Sequence, residues 1–165
     1  MAIRPIRVFG DPVLKQRADE ILNWDDNLKL LAQDMLDTMY DAPGVGLAGP
    51  QVGVQKRIFV YDIGQGPNVV INPVLSQFEG EWDYDEGCLS VPGLYWEIQR
   101  PKRVHLEAYN LEQEKISIDA DELLARVFQH ETDHLDGILL IDRLDPKRRK
   151  QAMKSLREQS LQDNV

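Results

Sequence analysis

Cysteine, histidine and long apolar runs are the features that this sequence has least of. Cys88 is the only cysteine, so an intrachain disulfide is excluded and the thiol is inert core, a nucleophile or a metal ligand. No apolar run approaches the ~20 residues that a membrane-spanning helix needs. Residues 1–5 also lack the apolar core of a signal peptide. These absences predict a cytoplasmic protein with no membrane segment.

Positive charge is also scarce, because 19 Lys and Arg residues stand against 28 Asp and Glu, which gives a formal net charge of −9. This balance argues against a general nucleic-acid-binding protein, and no sequence-specific nucleic-acid partner is expected. A hydrophobic fraction of 42% is ordinary for a globular protein, and 165 residues suffice for a single core. We expect one domain over residues 1–165, acting as a monomer, with residues 145–165 as a helical tail.

Three helices are predicted. Apolar residues recur at helical spacing over residues 25–40, and Asp25 or Asp26 is suited to begin that helix through capping and the helix dipole. A second helix begins at residues 121–122. Pro146 is suited to the first turn of a third, which carries a basic run.

The remaining segments predict an α+β fold, mostly antiparallel strands around the second helix. Period-two alternation over residues 103–110 and 115–120 is typical of a β-hairpin. Pro73 makes the strand containing it an edge or bent strand. The acidic residues 79–86 are interpreted as a solvated loop. Further predicted strands cover residues 6–9, 57–62 and 68–75, while residues 138–141 are either a buried strand or a continuation of the chain packed on the core.

Residues 43–53 break every periodicity, since they contain four glycines and two prolines. A phosphate-binding loop is one alternative, but no Lys-Ser or Lys-Thr pair follows the glycines. A loop that presents backbone N–H and C=O groups to a ligand, with Gln51 as a polar group, fits better. A plain surface turn is the remaining alternative.

The most informative motif is His130-Glu131-Thr132-Asp133-His134. Side chains at positions i and i+4 share one face of a helix, so His130 and His134 can bind a single metal ion, with Glu131 beside its water. Gly137 follows as a plausible end to this helix. The third histidine, His105, falls on the polar face of a strand and is expected to be solvated rather than a ligand.

A third ligand is needed, because a catalytic metal site usually has three protein ligands and a water. Cys88 lies between Gly87 and a Pro-Gly turn, a setting that exposes a thiol more than it buries one. A Cys-His-His set leaves one position for water, and Glu131 can take that water's proton and pass it on. These residues indicate a reaction in which hydroxide attacks a carbonyl group. Gln51 and the Leu89 N–H are candidate donors to the negatively charged oxygen that forms in this attack.

Other interpretations compete with this one. The histidine pair also occurs by chance on ordinary helices. Zinc endopeptidases and aminopeptidases use the same pattern, although they generally take a downstream His, Glu or Asp as third ligand. A noncatalytic protein that only binds its partners is a third possibility, and the presence of both Glu131 and Cys88 argues against it.

Three ordered motifs carry a resemblance to the peptide deformylases. They are residues 44–51 (GVGLAGPQ), 86–90 (EGCLS) and 129–134 (QHETDH). The similarity extends over nearly the whole chain, including its length and the C-terminal helix. Three motifs in this order are far more specific than any one of them.

The resemblance implies a hydrolase that removes the formyl group from the N-terminal formyl-methionine of nascent polypeptides and releases formate. Cys88, His130 and His134 would bind the metal, usually Fe²⁺, with Zn²⁺, Ni²⁺ or Co²⁺ as substitutes. The Cys-His-His set by itself suits zinc and iron alike. Glu131 would be the general acid and base.

The resemblance also implies how the substrate is held. Gln51 and the Leu89 backbone would stabilise the tetrahedral intermediate. Gly46 and the segment around Gly87 would hydrogen-bond the peptide as an added strand. The methionine side chain would fit a pocket lined by Val45, Leu123, Val127 and His130.

Two further expectations concern the first motif and the last helix. The family usually has two alanines before the proline of the first motif, whereas this chain has Ala48 and Gly49, so Gln51 is expected to be held more loosely. The basic last helix is similar to one that docks on the ribosome in bacterial relatives, and a ribosome contact is expected here.

Overall fold

Residues 2–163 are described by a computed structural model, and within them the chain forms three α-helices, three short 3₁₀ turns and seven strands. The predicted α+β class is confirmed. Within this range no helix has both the length and the apolar character needed to cross a membrane. The helices are α1 (Asp26–Asp41), α2 (Glu122–Leu135) and α3 (Pro146–Asp163), and the 3₁₀ turns are Pro12–Lys15, Gly49–Val52 and Leu140–Arg143.

The strands form two antiparallel sheets. A five-stranded sheet has the order β1-β2-β3-β6-β7, and a separate hairpin pairs β4 with β5. The hairpin predicted from period-two alternation is confirmed, with Leu106 opposite Ile118. The strands are β1 (Gly46–Ala48), β2 (Ile58–Tyr61), β3 (Asn68–Glu79), β4 (Trp82–Gly87), β5 (Tyr95–Arg100), β6 (Arg103–Tyr109) and β7 (Lys115–Asp121).

Strand β2 lies between helices α1 and α2, which explains why all four of its residues are buried. Successive side chains of a strand point to opposite faces. Phe59 and Tyr61 accordingly pack with Phe128 of α2, whereas Ile58 and Val60 pack with the apolar face of α1. This layering buries α2 against the sheet and holds its polar residues in fixed positions.

The ends of the helices follow from local chemistry. The Asp25 side chain accepts a hydrogen bond from the Leu28 N–H at 3.0 Å and so caps α1. Helix α2 ends at Leu135, and Gly137 follows with φ of +76°, a conformation in which glycine has no Cβ penalty. The stop predicted at Gly137 is confirmed.

The acidic segment 79–86 is not a loop, and this prediction was wrong. Residues Trp82–Gly87 form β4, with Asp83 and Asp85 exposed on one face. The other face is held by Arg126, whose guanidinium lies 5.4 Å from the centre of the Trp82 ring. Arg126, which belongs to α2, therefore stabilises β4, although the acidic residues of β4 suggested a loop.

Strand predictions near Pro73 and the N-terminus were partly wrong. β3 is an interior strand of its sheet rather than an edge, but it is bent, since its register shifts between Ile71 and Val74. Residues 6–9 form no strand, because two of their N–H groups bond to separate segments: Arg7 to the Gln51 carbonyl in a 3₁₀ turn and Phe9 to the Ser90 carbonyl.

For two further segments the sequence did not yield a single correct prediction of secondary structure. Residues 138–141 enter a 3₁₀ turn packed on the core, so the expected strand is absent there and the alternative of a packed continuation is confirmed. Strand β5 was not predicted at all, because its sequence, Tyr-Trp-Glu-Ile-Gln-Arg, alternates over only a few residues and follows a turn rather than an obvious partner strand.

Candidate metal centre and catalytic cleft

Cys88, His130 and His134 are brought together where the end of β4 meets α2. The Cys88 Sγ lies 3.3 Å from the His134 Nε2, and the two histidine Nε2 atoms lie 3.2 Å apart. All three donor atoms lie within 4.8 Å of one another. Within residues 2–163 this is the group of Cys, His and acidic side chains with a spacing suited to one ion.

The donor atoms fit a tetrahedrally coordinated divalent metal. Zinc–nitrogen bonds of ~2.0 Å and zinc–sulfur bonds of ~2.3 Å place neighbouring ligand atoms roughly 3.3 to 3.6 Å apart. The observed 3.2 Å and 3.3 Å separations are close to these values. A thiolate and two imidazoles suit iron or zinc better than magnesium or calcium, which prefer oxygen ligands.

The two histidines are held differently. The His130 Nδ1 lies 2.9 Å from the Glu86 carboxylate, which directs the Nε2 atom of this ring towards the site. Burial disfavours charge on His130, but hydrogen bonds with Cys88 and Glu86 raise its pKa, so a metal ion and a proton compete for this ring. Burial lowers the pKa of His134, which keeps that imidazole neutral.

Glu86 is the centre of a buried ionic network behind His130. Arg100 donates two hydrogen bonds to it, at 2.6 Å and 3.0 Å, and Arg126 donates a third at 2.6 Å. Burial alone would raise the pKa of Glu86, but the hydrogen bonds from His130 and Arg100 outweigh it and lower that pKa. Arg100 also pairs with Asp133 at 2.8 Å, so the network supports α2 at two points.

Glu131 lies beside the candidate metal ligands without a hydrogen bond to its Oε1 from any described residue. Its side chain is buried, and burial raises the pKa of Glu131 to about 7. A carboxyl group with a pKa near neutrality can both accept and return a proton. Gly46 leaves the space for it, because a Cβ atom there would lie 2.8 Å from the Glu131 Oε2.

Gln51 is held at the other side of Cys88. Its Oε1 accepts from the Ala48 N–H at 2.9 Å, and its Nε2 donates to the Ser90 Oγ at 3.1 Å. The same Nε2 lies 3.5 Å from the Cys88 Sγ, which places an amide donor next to the candidate metal ligands. Among described residues the Leu89 N–H forms no hydrogen bond, so a second donor is available nearby.

A cleft of about 750 Å³ connects these groups. It contains the glycine loop, the end of β4 and one face of α2, and all five residues predicted to hold the substrate line it. β1 forms one edge of its sheet, so its outer backbone groups are unpaired with another strand. The predicted substrate residues on the cleft wall are Val45, Gly46, Gly87, Leu123 and Val127.

Sequence reasoning missed several residues of this cleft wall, and three of them have large side chains. Tyr84, Tyr95 and Arg126 line it, and none of them was named as a site residue. Arg126 precedes His130 by four positions, so helical spacing alone places it on the same face. Tyr84 and Tyr95 required recognition of the β4–β5 hairpin.

His105 takes no part in this site. It pairs across the sheet with Asp119, its Nδ1 lying 2.7 Å from the carboxylate, and its Nε2 lies 3.1 Å from the Ser117 hydroxyl. The interpretation of His105 as a strand residue rather than a ligand agrees with this position, although its side chain is half-buried rather than solvated.

The expected loosening of Gln51 by Gly49 is not what the structure shows, since Gln51 is buried and bonded at both ends of its amide. A Cβ atom at Gly49 would lie 2.7 Å from the Lys56 carbonyl oxygen and 2.9 Å from that of Val54. Glycine is required here because the neighbouring backbone approaches closely.

We expect Gly49→Ala to destabilise the protein by about 1–3 kcal/mol, because two backbone carbonyls would have to move. Thermal unfolding should show a lower Tm, and kcat/KM should fall with it as the Gln51 turn shifts. An unchanged Tm together with unchanged kcat/KM would contradict this account of Gly49.

A buried carboxylate beside a Cys-His-His cluster, at the base of an open cleft, is typical of hydrolases that activate water at a metal ion. Comparison with known proteins shows to which family of hydrolases the chain is similar. The family described as polypeptide deformylase matches residues 3–150.

Relatives and solved structures agree. A peptide deformylase of Acidothermus cellulolyticus is 51% identical over 158 residues, which covers 96% of this chain and 88% of that protein. A crystal structure of a peptide deformylase from Legionella pneumophila has a TM-score of 0.92 at 40% identity, covering 99% of both chains. The one from Thermus thermophilus has a TM-score of 0.91 at 42% identity, covering 97% of this chain and 96% of that one.

The chain belongs to the polypeptide deformylase family. It is therefore an enzyme, a hydrolase that acts on formyl-methionyl peptides. The resemblance drawn from the three sequence motifs is confirmed, and the zinc peptidases are excluded as its family.

Proposed function

We propose that this enzyme removes the N-terminal formyl group from nascent polypeptides by metal-assisted hydrolysis at Cys88, His130 and His134. The observation that carries the proposal is the approach of three ligand atoms within 4.8 Å of one another, beside a buried carboxylate with a raised pKa. Fe²⁺ is the proposed native ion, with Zn²⁺, Ni²⁺ or Co²⁺ as substitutes, because all of them accept thiolate and imidazole ligands. When bound, the ion supplies Lewis acidity that polarises the formyl carbonyl and acidifies the attacking water.

Glu131 moves the protons of the reaction. Its carboxylate takes a proton from the attacking water and delivers it to the peptide nitrogen as the C–N bond breaks, releasing formate and a free amino terminus. The Nε2 of Gln51 and the Leu89 N–H donate to the oxygen that becomes negatively charged. A donor in such a position contributes on the order of 3 kcal/mol to the transition state.

The peptide backbone lies between β1 and the end of β4. Gly46 and Gly87 both line the cleft, and an extended peptide that bonds to both would add a strand to the edge of β1. Val45, Leu123 and Val127 supply apolar wall for the methionine side chain. Val45 is 51% exposed, so methionine burial would cover apolar surface that is otherwise in water.

The decisive experiment is anaerobic purification followed by metal analysis and a formate-release assay on a formyl-Met peptide. We expect one equivalent of bound metal, iron in the air-sensitive active form, and formate released in proportion to new amino termini. Activity that survives complete removal of metal by a chelator would overturn the proposal.

Gly46→Ala tests the position of Glu131. The added Cβ would meet the Glu131 Oε2 at 2.8 Å, so the carboxylate must shift while the metal ligands stay in place. We expect kcat to fall at least tenfold, roughly 1.4 kcal/mol, with metal content unchanged. Equal kcat in Gly46→Ala and the parent would show that the added Cβ does not displace the Glu131 carboxylate from its catalytic position.

Helix α3 offers the proposed contact with the ribosome. Ala152 and Leu156 are buried against the body of the protein. At about 100° per residue, Lys147, Lys150 and Lys154 fall on the opposite face, and all three are exposed. A basic face on a protein of net charge −9 suits an anionic partner. Because α3 packs on the body, we propose that residues 1–165 form one catalytic domain, and we further propose that this domain acts as a monomer.

Lys150→Glu with Lys154→Glu should weaken co-sedimentation with ribosomes while leaving small-peptide kinetics unchanged. These lysines are better targets than Arg148 and Arg149, which bond to Asp145 and Asp142 and help to hold α3. Lys29→Glu on α1 is the matched control. Undiminished ribosome binding by the double variant would mean that this face of α3 is simply solvated.

A further inference from the structure

The carboxylate of Asp133 connects the buried network behind His130 to the protein surface. Asp133 lies on α2 directly before the candidate ligand His134, and 11% of its side chain is exposed. Its Oδ2 accepts a hydrogen bond from Arg100 at 2.8 Å, and Arg100 in turn donates two hydrogen bonds to Glu86. Asp133 therefore shares one guanidinium with the carboxylate that contacts the His130 ring.

Arg143 holds the same carboxylate from the outer side. This residue ends the 3₁₀ turn Leu140–Arg143, and 44% of its side chain is exposed. Its Nη2 donates to the Asp133 Oδ1 at 2.6 Å, and its Nε donates to the Asp133 Oδ2 at 3.0 Å. One planar guanidinium thus engages both oxygens of Asp133, and such a bidentate contact fixes the orientation of a carboxylate as well as its position.

The charges along this path alternate in sign. Three successive ion pairs, at 2.6, 2.8 and 2.6 Å, connect Arg143, Asp133, Arg100 and Glu86. The Arg100 side chain is only 5% exposed, so its Nη1 would become a buried donor without an acceptor if the Asp133 carboxylate turned away. The guanidinium would then have to move to regain a partner. That movement would disturb its two hydrogen bonds to Glu86, which directs the His130 ring.

We propose that Arg143 is a positioning residue of the metal centre, because by fixing Asp133 it keeps the buried network from releasing the His130 ring. The inference rests on the proposed function in one respect, that a metal ion binds at His130. A ligand ring that can turn lets the ion dissociate sooner, so the rate of metal release reports on this role. The competing explanation is that Arg143 only fastens its 3₁₀ turn to α2.

The test measures zinc release from the zinc-loaded enzyme to an excess of chelator, at a temperature at which each variant is fully folded by circular dichroism. Arg143→Gln should release zinc about threefold to tenfold faster than the parent. This is less than the effect of removing a direct support of a ligating histidine, because Arg143 acts through three ion pairs. Arg143→Lys keeps the charge but loses the bidentate contact, so its rate should fall between the two. KM for a formyl-Met peptide should not change, since Arg143 is not among the residues that line the catalytic cleft.

Lys15→Gln is the matched control. Lys15 pairs with Asp142 of the same 3₁₀ turn at 2.5 Å, so this change loosens the turn without removing a contact of Asp133. Its zinc release should stay within about twofold of the parent. Equal release from Arg143→Gln and the parent, or equally fast release from Arg143→Gln and Lys15→Gln, would overturn the proposal. A parent enzyme that binds no zinc would overturn the proposed metal centre as well, so the two failures are distinguishable.

A double-mutant cycle with Glu86→Gln tests the path itself. If Arg143 acts on His130 through Glu86, Arg143→Gln should accelerate zinc release much less in the Glu86→Gln enzyme than in the parent. An effect of Arg143→Gln that is equally large in both enzymes would show that the path does not pass through Glu86, and the proposal would be wrong.

Discussion

Glu131→Gln is expected to abolish nearly all turnover while the metal content stays at the parent level. The side chain is buried, its pKa is raised to about 7, and its Oε1 has no partner among residues 2–163. Glutamine keeps the size and removes the proton acceptor, whereas Cys88, His130 and His134 are untouched. Loss of general acid and base catalysis lowers kcat by ~10²–10⁴-fold.

The measurement is single-turnover formate release with metal quantified in the same sample. Glu112→Gln, a change of the same kind in the exposed turn between β6 and β7, serves as the control and should keep full activity. Metal loss in Glu131→Gln would instead show that the carboxylate supports the ligands. Full activity with full metal content would rule out the proton transfer proposed here.

Most of the candidate site was predictable because the residues that compose it belong to short motifs within the sequence. Two histidines four positions apart on a helix can reach one ion whatever the rest of the fold does. Cys88 was harder, since its distance from His134 depends on the strand before it, and the glycine setting gave only a moderate indication. The ordered motifs supplied that long-range information, and the 3.3 Å separation of Cys88 and His134 agrees with them.

The features that were wrongly predicted depend on contacts between residues far apart in the sequence. β4 looked like an acidic loop because Asp83 and Asp85 dominate its composition, yet Arg126 covers its aromatic face and Arg100 neutralises Glu86. Charge composition describes the exposed face of a strand and says nothing of its buried partners. The prediction for Gly49 was wrong for the same reason. Gly49 leaves space for the carbonyl of Lys56, and Lys56 lies outside the motif that contains Gly49.

Glu86→Gln is expected to have the largest effect on stability. The Glu86 carboxylate is 3% exposed and accepts from Arg100 and Arg126 while contacting His130. Removing one charge from a buried ion pair leaves its partners without compensation and typically costs about 3–5 kcal/mol. The unfolding midpoint in urea should fall accordingly, with an unchanged m-value if the native fold persists.

The same substitution should weaken metal binding, because Glu86 orients the His130 ring through a 2.9 Å contact. Loss of such a support typically lowers metal affinity about 10- to 100-fold, measured by competition with a chelator. Glu79→Gln is the control: its ion pair with Arg103 is exposed, at 3.5 Å, and should contribute no more than ~1 kcal/mol. Stability loss in Glu86→Gln without weaker metal binding would show that the network holds β4 to α2 but does not orient His130. Loss of both, with Glu79→Gln unaffected, would establish that one buried carboxylate supports the fold and the metal ligand together.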